Sequence, residues 1–142
     1  MNDNPLRSYA KIATQTATPG LLILQLFDGA VRFLERALVG FLAQDPLEFN
    51  QTINNNIIRA QQIINHLNDS LDLDRGGELA ATLRRLYPYL HRRLNQSNVT
   101  KTPEGIRETI GHLTELREAW HEMLRQSNDV RPAPECFAPV LT

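Results

Sequence analysis

The feature that most constrains the fold is the stretch of residues 21–42, LLILQLFDGAVRFLERALVGFL. At 100° per residue its apolar side chains share one broad face, made of Ile23, Leu26, Phe27, Ala30, Leu34, Ala37, Leu38 and Phe41. Charged residues such as Asp28 and Arg32 make the run too polar to span a bilayer. Thr18 and Pro19 mark its start, as a helix cap and a first helical residue. Because one neighbour cannot cover so wide a face, the pattern predicts a long helix inside a bundle.

Three further stretches carry apolar residues at helical spacing. The pairs Asp45-Pro46 and Thr102-Pro103 give a cap-plus-proline start for the second and fourth helices. The predicted stripes are Phe49, Ile53, Ile57, Ala60, Ile64 and Leu67, with Leu71 as a further candidate; then Leu79, Leu83, Leu86, Leu90 and Leu94; then Ile106, Ile110, Leu113, Leu116, Trp120 and Leu124. Each stripe predicts one amphipathic helix with a single buried side.

The third helix has a break before it and a proline inside it. The paired glycines Gly76 and Gly77 predict the break, because glycine ends helices and adopts positive φ readily. We expect Pro88 to kink the helix rather than end it, because the leucine spacing continues in phase beyond the proline. The alternative is a helix that stops at Tyr87.

Four amphipathic helices without a strand pattern predict an all-α fold, an antiparallel four-helix bundle. An opened bundle of separate hairpins is the structural alternative. We expect residues 1–17 to form an N-terminal cap segment, residues 18–127 the bundle, and the proline-rich residues 128–142 a disordered tail. In the first segment Tyr9 and Ile12 are the apolar anchors, which either dock on the bundle or belong to a frayed terminus.

Composition excludes several classes of protein. A net charge of −1 gives no general attraction to nucleic acid or to an anionic membrane, so neither is expected as a partner. The one cysteine, Cys136, cannot form an internal disulfide and fits a reducing compartment. No basic-then-apolar leader begins the sequence. These features predict a cytosolic protein.

The sequence lacks the residue patterns of an active site. Its histidines are never four apart, as a helical metal pair requires: they are His66, His91, His112 and His121. Glu118 and His121 form one Glu-x-x-His element, but a di-iron bundle needs two. Gly76-Gly77 lacks a phosphate-binding context, and Cys136 has no histidine nearby. We therefore predict no catalytic, cofactor or metal site, and no enzyme.

Several apolar residues remain after the predicted core is filled. They are Leu24, Leu47, Ile58, Ile63 and Tyr89. Ile58 and Ile63 lie on opposite flanks of the second helix's stripe. We expect one of them, rather than both, to belong to the core. Leu47 lies on the same flank as Ile58, and a pair of exposed apolar side chains has no structural benefit unless a partner covers it. Together with Tyr9 and Ile12, these residues are our candidates for partner binding.

Charge is unevenly distributed around the third helix. Residues 75–93 carry five arginines, Arg75, Arg84, Arg85, Arg92 and Arg93, but one acid, Glu78. This segment could form a groove for an acidic or amide-rich partner, or for RNA. The interpretation we favour is a solvated face offset by acids of the fourth helix. For Asp28 we likewise favour a solvated acid or a hydrogen-bond acceptor to a neighbouring helix over a partner contact.

Several motifs resemble signatures of the flagellar secretion chaperone family FliS. They are residues 26–30 (LFDGA), 71–80 (LDLDRGGELA), 86–90 (LYPYL), 92–94 (RRL) and 116–120 (LREAW), together with Tyr9. The likeness covers roughly residues 9–124. Two departures from the family pattern occur: Pro88 stands where an acidic or polar residue is usual, and residues 96–98 differ mildly from the usual ending.

This resemblance implies a cytosolic four-helix bundle that binds the C-terminal segment of flagellin. Binding would prevent premature polymerisation and deliver flagellin to the flagellar type III export apparatus, whose components are further partners. In the family the N-terminal segment packs on the bundle and can be displaced by the client. A chaperone for a disordered helical segment needs no cofactor. A different class stays open: a helical adaptor or dimerisation module without a secretion client, in which the leftover apolar residues mediate self-association.

Overall fold

The computed structural model describes residues 18–71 and 73–127, without the side chains of residues 73–76 and 127. This part of the chain contains four helices and no strand: α1 (Pro19–Gly40), α2 (Pro46–Ser70), α3 (Leu73–Thr100) and α4 (Glu104–Ser127). The predicted all-α class is confirmed. The expectations for the N-terminal segment, including Tyr9 and Ile12, and for the C-terminal tail lie outside the described residues.

The helices form a closed ring of neighbours. Helix α1 packs against α2 and α4, and α3 packs against the same two helices. Adjacent helices run in opposite directions. At the α1–α4 contact, Trp120 donates a hydrogen bond to the carbonyl oxygen of Gly20 (2.9 Å), whereas the earlier Arg117 donates to the later Asp28 (2.9 Å). An open pair of hairpins would lack this contact between the first and last helices.

The contact between α2 and α3 shows the same reversed order. Asn98, near the end of α3, donates to Asn54 near the start of α2 (2.8 Å). Further along α2, Gln61 donates to Asn95, which lies earlier in α3 (2.9 Å). The antiparallel four-helix bundle predicted from the sequence therefore describes this structure.

The helix starts follow the predicted caps. The Thr18 hydroxyl accepts a hydrogen bond from the backbone N–H of Leu21 (3.2 Å), and a carboxylate oxygen of Asp45 accepts from the N–H of Glu48 (2.9 Å). Each bond satisfies one of the N–H groups that the first helical turn leaves free. The fourth helix begins at Glu104, directly after the predicted pair Thr102-Pro103.

The break before the third helix is local to one glycine. Gly77 has φ 55° and ψ −128°, a conformation that side chains with a Cβ disfavour, and it interrupts α3 near its start. The helix then continues through Pro88, so the alternative that it stops at Tyr87 is wrong. Pro88 lies on the exposed side, where water can satisfy the carbonyl of Arg84 that has lost its helical partner.

The core is built from the predicted stripes, with a few differences. The buried apolar side chains contributed by α1 and α2 are Ile23, Leu24, Leu26, Phe27, Ala30, Phe33, Leu34, Ala37, Ile53, Ile57, Ala60, Ile63, Ile64 and Leu67. Leu71 and residues from α3 and α4 complete it, among them Leu83, Leu90, Leu94, Ile106, Leu113, Leu116, Trp120 and Leu124. The stripe residues Leu38, Phe41, Phe49, Leu79, Leu86 and Ile110 are half-buried at its margin.

Trp120 anchors the end of α4 on the start of α1. Its side chain is 4% exposed and its indole N–H bonds to Gly20, so Trp120→Ala should lower the free energy of unfolding by about 3–5 kcal/mol. Trp120→Phe keeps most of the packing and should cost about 1–2 kcal/mol. Urea denaturation measures both values. A loss below about 1 kcal/mol for the alanine variant would mean that this contact does not hold α4 in place.

Candidate partner-binding surface

The candidate residues from the sequence separate into exposed and buried groups. Leu47 is 63% exposed and Ile58 is 41% exposed, so both present apolar surface to solvent. Leu24 and Ile63 are only 4% and 1% exposed and belong to the core. Tyr89 is half-buried. The structure therefore places two of the candidates, Leu47 and Ile58, on an accessible surface of α2.

The prediction that Leu24 and Ile63 are left over from the core is wrong. Helix α1 packs against both α2 and α4, so its buried arc is wider than one stripe and also takes in Leu24 and Phe33. Helix α2 packs against both α1 and α3, which brings Ile63 and Asn56 into the interior. The expectation that one of Ile58 and Ile63 is core is confirmed. Whether any of these residues binds a partner stays a prediction.

The outer face of α2 carries a shallow depression. It has a volume of about 380 Å³ and is lined by Asn55, Ile58, Arg59 and Gln62. The lining thus combines one apolar side chain, two amides and one guanidinium. Leu47 lies eleven residues before Ile58 on the same flank, which corresponds to about three helical turns or 16 Å. We call the surface from Leu47 to Gln62 the α2 face.

Several other amides of α2 are engaged with α3. Asn54 accepts from Asn98, Gln61 donates to Asn95, and Asn65 accepts from the hydroxyl of Tyr87. These bonds join residues that are 22 to 44 positions apart in the chain. The amide-rich side that the sequence shows as one surface is therefore divided between a polar seam with α3 and the open α2 face. Sequence periodicity could not separate the two, because the seam depends on which helix lies beside α2.

Three arginines of α3 contact neighbouring groups. Arg93 forms an ion pair with Glu108 of α4 (2.7 Å). Arg84 donates to the carbonyl of Leu71 (3.1 Å), and the guanidinium of Arg92 lies 5.3 Å from the ring centre of Tyr89. For Arg93, the interpretation we favoured, an offset by acids of the fourth helix, matches the structure. The groove interpretation of this segment gains no support from these contacts.

Glu108 is the centre of a polar cluster at the α3–α4 contact. Its carboxylate accepts from the hydroxyl of Tyr89 and from Arg93, and these two hydrogen bonds hold the pKa of Glu108 below its usual range. The same bond to Glu108 raises the pKa of Tyr89. His112 lies 3.7 Å from the Glu108 carboxylate. Tyr89 therefore lies at the α3–α4 contact, away from Leu47 and Ile58.

The described residues contain neither a metal-binding cluster nor a membrane-spanning helix. No group of three or more metal-ligating side chains comes together in residues 18–71 and 73–127. No helix in this part of the chain combines the length and the apolar character that a bilayer requires.

Comparison with known proteins identifies the family. The family model for the flagellar protein FliS matches residues 2–127. The chain belongs to this family. It is similar to the flagellar secretion chaperone FliS of Bacillus subtilis, with 34% identity over 128 residues that cover 90% of this chain and 92% of the relative. It is also 35% identical over 123 residues to the flagellar secretion chaperone FliS of Salmonella typhimurium. This match covers 83% of this chain and 88% of the relative.

Family membership confirms the resemblance seen in the sequence and the prediction that the chain is not an enzyme, since FliS proteins are flagellar secretion chaperones. Two of the motifs that carry the resemblance meet in space. Asp28, in residues 26–30, accepts a hydrogen bond from Arg117, in residues 116–120, and this bond raises the pKa of Arg117. The interpretation of Asp28 as an acceptor to a neighbouring helix is confirmed. These motifs fasten α4 to α1.

The Glu108 cluster predicts a pH dependence of stability. Because the pKa of Glu108 is lowered in the folded state, its stabilising contribution is fully present above the unfolded-state pKa of about 4.3 and is lost as the pH falls through the folded-state pKa. Thermal melts of the wild type and Glu108→Gln should therefore differ most at neutral pH and converge in acid. Glu115→Gln, the same change at an exposed position in the middle of α4, controls for the loss of one charge. A wild-type advantage that stays constant down to about pH 3 would contradict the assignment.

Proposed function

We propose that this FliS-family chain is a cytosolic export chaperone that binds the C-terminal segment of flagellin. Binding would keep the segment from polymerising early and present it to the type III export apparatus of the flagellum. The observation that carries the proposal is the FliS match, which extends over all four helices. The secretion-chaperone names of the relatives support the same role.

The α2 face has the chemistry that such a client requires. A disordered segment that folds into a helix on binding buries an apolar stripe against a groove or an apolar helix face. Leu47 and Ile58 offer apolar surface about three turns apart, so they fit side chains spaced along one side of a client helix. The amides of Asn55 and Gln62 can satisfy polar groups at the edge of the same helix. We therefore assign the α2 face to client binding.

A second candidate function is self-association through the exposed apolar residues. Val39, Leu42 and Leu47 lie within nine positions around the α1–α2 turn and are each more than 60% exposed. A patch of this kind could form a dimer interface in a helical adaptor that has no secretion client. Sedimentation equilibrium with and without the flagellin C-terminal segment separates the two functions. A tight dimer that binds no flagellin would favour the adaptor.

Ile58→Asp tests the assignment of the α2 face. The change places a charge where the client's apolar stripe would lie, so we expect client binding to weaken by more than 1 kcal/mol, about fivefold in Kd. Because Ile58 is 41% exposed, the melting temperature should change little. Calorimetric titration with a flagellin C-terminal peptide measures the affinity.

The matched control is Ala119→Asp, the same introduction of an acid at an exposed residue of α4. Helix α4 packs chiefly against α1 and α3, so this variant should bind the peptide as the wild type does. If Ile58→Asp folds and binds normally, the client lies elsewhere. If it unfolds, Ile58 supports the core.

The N-terminal segment is proposed to dock through Tyr9 and Ile12 and to compete with the client. Deletion of residues 1–15 should then change client affinity, because a competing ligand has been removed. The bundle should still melt in one cooperative transition, since α1 begins at Pro19. Equal affinity of the full and shortened chains in the same titration would remove the competition.

A further inference from the structure

Two arginines from different helices lie over one phenylalanine beside the α2 face. The guanidinium carbon of Arg36, in α1, is 5.3 Å from the ring centre of Phe33, and that of Arg59, in α2, is 5.9 Å from it. Phe33 is only 8% exposed, so its ring is a fixed platform on which guanidinium groups can stack. We call Arg36 and Arg59 the arginine pair.

The arginine pair lacks an acidic partner among the described residues. The ion pairs in this part of the chain involve Arg93, Arg117, Arg125 and His112. Arg59 is the one lysine or arginine of α2, and the acids of that helix lie eleven and ten residues from it, about 15 Å away. That distance exceeds the screening length of about 8 Å at physiological salt. The charge of Arg59 is therefore not offset within its own helix.

The acid of α1 that is nearest in sequence to Arg36 faces a different groove. Glu35 lines a depression between α1 and α4 together with Asp28 and Arg117. It makes no ion pair with either arginine among the described contacts. Two like charges 5.3 and 5.9 Å from one ring centre repel each other, and a carboxylate beside them would relieve that repulsion and accept guanidinium N–H groups. The pair is thus complementary to an external acid.

Arg59, the member of the arginine pair on α2, and Ile58 lie on opposite edges of the α2 face. At 100° per residue Ile58 and Arg59 project in different directions, and Asn55 and Gln62 project between them. All four line the same depression. Across the α2 face, the side chain at one edge is therefore apolar, those in the middle are amides, and the one at the other edge is cationic. An amphipathic helix that lies on this face with an acidic edge matches that order.

We propose that the α2 face selects an acidic amphipathic helix of the secreted client, with a client carboxylate bound by Arg36 and Arg59 and a client apolar side chain seated on Ile58. The inference rests on the proposed export-chaperone function and adds the chemical class of segment that is recognised. Phe33 holds the guanidinium groups before the client arrives, so less side-chain freedom is lost on binding.

The test is a binding titration of the full chain with a fluorescently labelled flagellin C-terminal segment. Arg59→Glu and Arg36→Glu should each weaken binding at least about tenfold at roughly 50 mM salt, and much less at roughly 500 mM, where the charges are screened. Arg59→Gln, which removes the charge without adding an acid, should weaken binding by a smaller factor. Arg107→Glu makes the same charge reversal at an exposed position of α4 and should change affinity less than about twofold.

A charge exchange identifies the contact itself. In a series of client segments each acid is replaced in turn by lysine, and one member should lose affinity for the wild type and regain it on Arg59→Glu. Either of two results would overturn the inference while leaving the proposed function intact. In the first, no member of the series regains affinity. In the second, Arg59→Glu and Arg59→Gln bind within twofold of the wild type (about 0.4 kcal/mol) at equal melting temperatures. A wild type that binds no flagellin segment would instead overturn the proposed function, and the inference with it.

Discussion

Burial of α1 on two sides is the constraint on which the rest of this bundle depends. Phe27 and Leu34 are fully buried, and neither α2 nor α4 alone could cover the arc that they share with Leu24 and Phe33. A second helix must therefore lie beside α1, and in this chain that helix is the last one, α4. The bonds from Trp120 to Gly20 and from Arg117 to Asp28 fix the register of that return, and α3 closes the ring between α2 and α4.

The two sides of α2 are held by different physics. Towards α1 the contact is apolar, with Ile53 and Ile57 in the core and Phe41 stacked edge-to-face on Phe49. Towards α3, amide hydrogen bonds run along the margin of the contact. Hydrophobic contacts are non-directional. By contrast, displacing the hydrogen-bond partner of a buried or half-buried amide lowers the stability of the folded state. The seam therefore adds register to a contact that burial alone would specify loosely.

The sequence predicts the local elements well and the contacts between helices poorly. Caps and stripes depend on residues three or four apart, so Thr18, Asp45 and the core leucines could be assigned from the sequence. The width of each buried arc depends on how many helices lie alongside, which is why Leu24 and Ile63 were misplaced while Ile58 was not. The amide seam and the arginine pair join residues 22 to 44 positions apart, and no local pattern shows which of them will meet.

Ion pairs are distributed unevenly between the α4 side of the bundle and the α1–α2 side. On α4, Glu108 accepts from Arg93, and Arg117 and Arg125 each contact a carboxylate. Much of the charge on this helix therefore takes part in ion pairs between helices or within α4. On the α1–α2 side, Arg36 and Arg59 stack on Phe33, and exposed Ile58 lies at the opposite edge of the depression that Arg59 lines. Charges that are already paired contribute little to a new interface, because binding must first break or desolvate them. Among the described residues, α2 rather than α4 therefore combines exposed apolar surface with a cation that has no acidic partner, and the proposed client contact depends on this combination.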